Sequence, residues 1–200
     1  IGFFGRANFT FLEKYLLTLS YRRDGTSKFS SDNRWGNFAA AAAAWRISDE
    51  DFLKDSKVIS NLKLRASYGI TGQQEISNPG IYLSTYRFGL SNSQFLFGNQ
   101  IIQSTIPQPT NPDIKWEETA TAELGIDYGL WNNKFTGTLG VFQKKSKDLL
   151  FSSPLADGTN FTNNIIQNIG ELQIRGIEFT LNTEILNSED FNWNVTFNAT

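Results

Sequence analysis

Eight stretches of the chain alternate apolar with polar residues. The clearest puts Leu62, Leu64, Ala66, Tyr68 and Ile70 on one parity and Lys63, Arg65, Ser67 and Gly69 on the other. Successive strand side chains point to opposite faces, so the pattern predicts a sheet with one greasy side and one wet side. Elsewhere, Leu17 and Leu19 oppose Thr18, Ser20 and Arg22. Leu124 and Ile126 oppose Glu123, Gly125 and Asp127. Phe179 opposes Glu178 and Thr180, and Val195 and Phe197 oppose Asn194 and Thr196. The predicted strands cover about 2–11, 15–24, 37–46, 61–71, 118–130, 134–150, a stretch through 177–184, and 191–200. The joints between them tend to alternate short and long, which is the layout of a membrane β-barrel with tight turns at one end and loops at the other.

Three places need a separate argument. Ala39 to Ala44 are six consecutive alanines. Propensity alone favours helix, but so short an isolated helix is poor, and the flanking Phe38 and Trp45 point to a strand of small residues. Ser48 to Asp55 has the spacing of a capping box, Ser48 with Asp51, and predicts one or two helical turns. Ile174 breaks the parity of its strand, and Gly176 beside it marks a candidate bulge. The longest irregular region runs from about Gly72 to Glu117 and carries Pro79, Pro107, Pro109 and Pro112, with Ile81 to Phe88 as a piece able to fold back. Loops of more than about 15 residues are uncommon in compact domains and are usually functional.

Alternation alone does not separate a membrane barrel from a soluble sandwich, whose inner faces are also apolar. Strand length does more. A tilted strand needs about 9–11 residues to cross a bilayer, whereas soluble strands average about 5–6. The 200 residues include 17 Phe, 5 Trp and 6 Tyr, yet mean hydropathy is only -0.32, because alternation hides a barrel's greasy residues from any average. No run approaches the roughly 18–20 apolar residues of a spanning helix. Net charge is -2 with no basic patch, which argues against nucleic acid as a partner. Cys and His are absent, which removes disulfides, thiolate sites, the usual zinc sites and the Ser-His-Asp triad within these residues. No phosphate-binding glycine loop occurs, and no cofactor is implied. The acid pairs Glu117-Glu118 and Glu189-Asp190, and the run Asp49-Glu50-Asp51, read as solvated turn charges. A glycosidase pair flanking a sugar would need about 5–9.5 Å between carboxylates. Aromatics near strand ends, namely Tyr15, Trp45, Trp131, Phe135, Phe191 and Trp193, suit the interfacial girdle of a barrel.

Four segments carry a family resemblance: KYLLTLSYRRDGTSKF at Lys14 to Phe29, NRWGNFAAAAAAWRISDEDFLKDSKVISNLKLRASYGITGQQ at Asn33 to Gln74, NPDIKWEETATAELGIDYGLWNNKFTGTLGVFQKKSKDLL at Asn111 to Leu150, and NIGELQIRGIEFTLN at Asn168 to Asn182. In order and spacing the chain resembles the SusC/RagA class of TonB-dependent outer-membrane transporters. The resemblance implies an all-β fold, a transmembrane antiparallel β-barrel of which these are about eight strands out of roughly 22, with a plug. At about 25 residues per strand, such a barrel needs roughly 550, so residues 1–200 are expected to be a partial barrel domain without the plug and N-terminal region. The chain opens inside one predicted strand and stops inside another, which agrees with that expectation.

The resemblance further implies import of a glycan or peptide in the bacterial outer membrane. The partners would be a SusD-like surface lipoprotein, TonB acting through a region absent here, and outer-membrane lipid. Leu17, Leu19, Leu64, Leu124, Ile126, Phe179, Val195 and Phe197 are expected to face lipid. Arg22, Lys63, Arg65, Glu123, Asp127 and Glu178 are expected to face the lumen. Tyr82, Tyr86, Arg87 and Phe88, in the longest loop, are candidate contacts for substrate or lid. The rival readings are a stand-alone eight-stranded outer-membrane barrel, a soluble carbohydrate-binding β-sandwich, and a glycosidase using Glu117 and Glu118.

Overall fold

A computed structural model describes residues 1–76, 79–159 and 162–200. The strands are β1 (Gly2–Phe11), β2 (Tyr15–Gly25), β3 (Trp35–Arg46), β4 (Ile59–Gln73), β5 (Tyr86–Phe88), β6 (Gln94–Phe97), β7 (Gln100–Gln103), β8 (Thr105–Pro107), β9 (Glu117–Leu130), β10 (Phe135–Lys147), β11 (Leu150–Pro154), β12 (Asn164–Asn168), β13 (Glu171–Asn187) and β14 (Asn192–Ala199). Eight of them form one antiparallel sheet in the order β1-β2-β3-β4-β9-β10-β13-β14. Each is paired with the next sheet strand along the chain, and β1 and β14 are its two edges. The sheet is therefore neither a closed eight-stranded barrel nor two sheets packed face to face.

The alanine run lies inside β3, where every alanine is paired with β2. Packing of a pleated surface between two neighbours has overridden helix propensity. The β1–β2, β9–β10 and β13–β14 joints are tight. Leu12 and Glu13 both take positive φ, as do Trp131, Asn132 and Asn133, giving turns whose twist suits a hairpin. The β3–β4 joint is longer. Short turns form there as expected, the Glu50 carbonyl accepting from the Leu53 and Lys54 N–H groups, but the 3-10 turn Ile47–Asp49 that precedes them has no side-chain hydrogen bond at its N-cap. The expected capping box is thus absent. The other three joints, after β2, β4 and β10, are the loops of the opposite end of the sheet; those after β4 and β10 are the longest, while the one after β2 is shorter than the β3–β4 joint.

Two further expectations change. Gly176 does not mark a bulge: pairing of β10 with β13 runs unbroken through Phe142 and Gly176. The glycine is there because the Phe142 ring lies against it, 2.6 Å from where a Cβ would stand. The register shift in β13 falls instead between Glu184 and Leu186, against β14. The strand expected over 134–150 ends at Lys147. Asp148 turns at φ 56°, and β11 then pairs with β12 as a separate hairpin.

Among the described residues the buried apolar side chains are Phe29, Phe38, Ile76, Ile81, Ile114, Trp116 and Ile165, which form one cluster. The cluster sits among the long loops, and most of the sheet's own apolar side chains are uncovered. Leu124 is 49% exposed, Phe197 54% and Ile177 62%. An exposed apolar field of that extent marks a surface built to meet another apolar phase.

Candidate functional site

Residues directly paired across an antiparallel sheet share a face, so the register sorts every side chain. One row crosses all eight strands: Phe11, Tyr15, Trp45, Leu64, Ile126, Leu139, Phe179 and Ala199. A second, on the same face, runs Phe9, Leu17, Ala43, Ala66, Leu124, Val141 and Ile177. Leu19, Val195 and Phe197 lie on that face too, through Leu19 with Ala41, Thr183 with Val195, and Leu181 with Phe197. The opposite face holds the row Thr10, Leu16, Ala44, Arg65, Gly125, Gly140 and Glu178. Lys63 with Asp127, Ser67 with Glu123 and Arg22 with Phe38 belong to it as well. The structure thus brings the eight residues singled out as greasy onto one face and the six singled out as charged onto the other.

The charged face is organised around Arg65. Its Nε donates to Asp127 Oδ1 at 3.1 Å and its Nη1 pairs with Glu123. Lys63 Nζ closes the set 2.8 Å from Asp127 Oδ2. Two cations and two carboxylates balance, with each of the three principal members about a quarter to a third exposed. Gly125 is the reason the guanidinium can lie there. It sits on β9 between Glu123 and Asp127, directly across from Arg65, and a Cβ would stand 2.9 Å from the guanidinium carbon. Spacing in the sequence shows the three acids and bases on one face; only the structure shows the notch between them.

The short-joint end carries the aromatics. Tyr15 and Trp45 stack with centroids 6.3 Å apart, and Trp131 and Phe135 meet edge-on at 5.6 Å. Glu50, expected to be a solvated turn acid, anchors the first pair. Its carboxylate accepts from Trp45 Nε1 at 3.0 Å, Tyr15 Oη at 2.8 Å and Lys14 Nζ at 3.0 Å. These bonds, chiefly that from Trp45, hold its carboxyl down at about 2 against an ordinary 4.5. A group with a depressed folded pKa contributes stability above its unfolded value and loses it as pH falls. Replacing Glu50 by Gln is therefore expected to lower the urea midpoint of the refolded full-length protein at neutral pH. That difference should shrink steadily between pH 4.5 and 2. A difference independent of pH would show that the charge is not what joins the two turns.

At the other end the long loops are stapled together. Asn168 donates to the carbonyls of Lys115 (2.9 Å) and Asp148 (2.8 Å) and accepts from the Lys115 N–H (2.9 Å). Asn111 donates to the Ile166 carbonyl at 2.8 Å. Trp116 packs edge-on against both Phe29 and Phe38 and donates its indole N–H to the Arg34 carbonyl at 3.3 Å. Residues of the NPDIKWE and NIGE stretches thus tie three loops into one platform around the buried cluster. From it rise the pair β5–β8 and the hairpin β6–β7, which turns at Gly98 with φ 60°. Of the four loop candidates, Tyr82 packs against the buried cluster, while Tyr86 (68% exposed), Arg87 and Phe88 lie outside it. Phe95, Leu96, Phe97 and Ile101 of the hairpin are also exposed, and sequence reasoning missed them. The signal was present: Gly98-Asn99 between the short apolar runs Phe95–Phe97 and Ile101–Ile102 is hairpin chemistry.

Glu117 and Glu118 are adjacent on β9, paired with Gln73 and Gly72, so they fall on opposite faces of the sheet. They do not converge on one sugar. No cluster of three metal-ligating side chains occurs among the described residues, and no helix there is long and apolar enough to cross a membrane.

Comparison with known proteins agrees with this geometry. The family profile for the TonB dependent receptor-like β-barrel matches residues 1–200. The chain is 42% identical to TonB-dependent receptor SusC of Bacteroides thetaiotaomicron over its whole length, which is 20% of that protein. It is 37% identical to TonB-dependent receptor P3 of Formosa agariphila over 99% of its length and 19% of the relative's. It superposes on a chain of the RagAB peptide importer in its open-open state with TM-score 0.86 and 26% identity, covering 98% of this chain and 21% of that one. The siderophore receptor PirA of Pseudomonas aeruginosa shares the fold, with TM-score 0.61 and 16% identity over 99% of this chain and 34% of that one. The chain spans about a fifth of the curated relatives it matches. With strands of bilayer-crossing length, a face of uncovered apolar rows and a profile match from end to end, this chain lies in the bacterial outer membrane and belongs to the TonB-dependent receptor-like β-barrel family.

Proposed function

We propose that the chain forms part of the wall of a TonB-driven importer that carries a glycan or peptide nutrient across the outer membrane beneath a SusD-like surface lipoprotein. The observation that carries this reading is the division of the sheet into one apolar and one charged face within a chain of this family. Residues 1–200 are one partial barrel domain in a barrel of roughly 22 strands. The plug and the segment that TonB pulls come from other sequence. The work is binding and translocation, and no covalent bond is made or broken.

In this reading Leu17, Leu19, Leu64, Leu124, Ile126, Phe179, Val195 and Phe197 meet hydrocarbon. Arg22, Lys63, Arg65, Glu123, Asp127 and Glu178 line the bore, where charge costs little. The loop platform faces outward, and Tyr86, Arg87 and Phe88 meet cargo or lid, with Tyr82 bracing them from below. SusC and the RagAB importer support the reading as relatives, the latter being a peptide importer by name.

Deleting the gene from its host is expected to abolish growth on one class of glycan or peptide as sole nutrient, and loss of TonB function to reproduce that defect. Undiminished growth on both panels would overturn the importer reading. A second measurement addresses the loops. Tyr86→Ser with Phe88→Ser in the full-length protein is expected to reduce recovery of the lid lipoprotein at least about tenfold, since exposed aromatic anchors dominate interface energy. The amount of folded barrel should be unchanged, because both side chains lie outside the buried cluster. Equal recovery would remove them as contacts.

A further inference from the structure

The apolar face carries charge at one end only. Toward the short joints its rows finish at Tyr15, Trp45, Leu62 and Phe135, and among the described residues no strand position of that face is charged there. Toward the long loops the first charge met is Arg23 on β2, Lys145 on β10 and Arg175 on β13. The acids of the same face, Glu118 and Glu171, lie one row beyond Lys145, as register partners of Lys147. An outward face that turns from apolar to cationic at one boundary, and not at the other, meets different chemistry on the two sides of the bilayer.

The three cations share a level once strand tilt is allowed for. In a tilted wall a horizontal line drops steadily along the strands from one to the next. The inner edge of the apolar band does so. It lies at Tyr15 and Trp45 on β2 and β3, and two rows lower at Phe135, Thr183 and Val195 on β10, β13 and β14. The cations descend likewise, since the row of Arg175 reaches β2 at Leu19, two rows below Arg23. Each thus stands about eight to ten residues, or about 20–26 Å at a tilt of about 40°, from the inner edge of its own strand. The apolar band of a membrane barrel is about 25 Å tall. Arg23, Lys145 and Arg175 therefore stand where hydrocarbon gives way to headgroups.

Two of the three are open to a ligand. Lys145 Nζ is held by Glu171 Oε1 at 2.6 Å. Arg23 and Arg175 are exposed and have no carboxylate partner among the described residues. The Arg23 guanidinium lies over the Trp35 ring, 5.1 Å from its centroid, and that ring lies against Gly25, where a Cβ would stand 2.8 Å from it. β3 and β4 split apart above Ala40 and Gly69, so Trp35 is paired with β2 alone, beside Arg23. The Gln173 amide oxygen accepts from Arg175 Nε and Nη2 at 2.8 Å. Both guanidiniums are positioned by neutral neighbours and keep their charge. We infer that Arg23 and Arg175 bind phosphate groups on lipids of the outer leaflet, an assignment that rests on the apolar face meeting hydrocarbon. A phosphate offers the guanidinium fork two acceptors at once. Tyr21, one row below Arg23, and Ile177, one row below Arg175, meet the acyl chains of the same lipids. A zwitterionic headgroup fits less well, because its own cation would arrive where the nearest acids, Glu118 and Glu171, already stand beside lysines.

The test is native mass spectrometry of the full-length protein in uncharged detergent, with lipid A added either with its phosphates or after their removal. Phosphorylated lipid A is expected to be retained, and Arg23→Gln with Arg175→Gln to weaken its retention at least about tenfold, the size of two lost charge-assisted hydrogen bonds. Lys144→Gln is the matched control. It removes a cation at the same end of the sheet but from the opposite face, and retention should be unchanged. Inorganic phosphate at equal concentration should not displace the lipid. Heat-modifiable migration identifies a variant that has failed to fold, in which case Arg23→Gln and Arg175→Gln are compared singly. The inference is overturned if the dephosphorylated lipid is retained equally, if the arginine variants hold as much as the parent, if Lys144→Gln releases as much as they do, or if inorganic phosphate displaces the lipid. Whether the apolar face meets hydrocarbon is judged separately by arginine at Leu124, and the importer by growth of the deletion strain. Failure here removes the headgroup sites and leaves both of those standing.

Discussion

Arginine in place of Leu124 is expected to prevent the full-length protein from assembling in the membrane. Leu124 lies at the middle of an apolar row seven strands wide, between Ala66 and Val141, and nearly half of its surface has no protein cover. If that face meets lipid, a guanidinium near the bilayer centre costs about 2–4 kcal/mol. That is a large part of a stability of about 5–15 kcal/mol. The expected result is loss of the heat-modifiable band and accumulation of unfolded or degraded chain. Thr138→Arg is the matched control. Thr138 is on β10, paired with Asp127 on the other face, so its arginine would meet a carboxylate in a wet bore. It should assemble normally. Equal tolerance of the two arginines would mean that the apolar rows do not face hydrocarbon, and the proposed orientation of the wall would fall with them.

The second large effect concerns a glycine. Gly137 on β10 lies between Tyr128 of β9 and Leu181 of β13, and it is buried. The Tyr128 phenol lies over it and donates to the Thr180 carbonyl at 3.3 Å. A Cβ at 137 would meet that same carbonyl oxygen and come within 2.6 Å of the Tyr128 hydroxyl. The ring can rotate away, but the carbonyl belongs to the sheet ladder and cannot move alone. Gly137→Ala is therefore expected to cost about 3 kcal/mol, at the upper end of ordinary overpacking. Tyr128→Phe removes the hydrogen bond alone and should cost about 0.5–1.5 kcal/mol. Urea midpoints of full-length protein refolded into vesicles read both. Combining Gly137→Ala with Tyr128→Ala should recover only part of the loss. Full recovery would show that the ring, and not the strand backbone, sets the restriction.

Much of the wall is legible in the sequence because a strand has a period of two. Once Leu64, Leu124 and Phe179 are set on one parity and Arg65, Glu123 and Glu178 on the other, neighbouring strands need only be paired in the register that keeps like with like. The alanine run was readable as strand only from its flanks, because its own propensity points elsewhere. The relations missed are those that period does not encode. Glu50 finds Lys14 and Tyr15 from 36 and 35 residues away, and Asn168 finds Lys115 from 53. Neither partner set leaves a local trace, and the local signal beside Glu50, the Ser48 box, points to a side-chain cap that does not form. Gly125 and Gly176 look like breaks in a pattern, yet each clears space for a neighbour's side chain. The split between β3 and β4 is a set of hydrogen bonds not made, which alternation continuing through Ile70 and Thr71 conceals. The β6–β7 hairpin was hidden for a different reason: its turn signal lies inside a proline-rich region that reads as loop throughout.

The stapled platform also separates two rates of change. Its asparagine clamps and its Trp116 packing fix where each long segment starts and ends, while the Gln94–Gln103 finger stands clear of that framework with its apolar tip in the open. Residues at the tip are free to be rewritten from one lineage to the next without unsettling the wall beneath. Related barrels should therefore diverge fastest at the fingertip and slowest at the clamps, so that new recognition arises by editing an appendage instead of rebuilding a membrane protein.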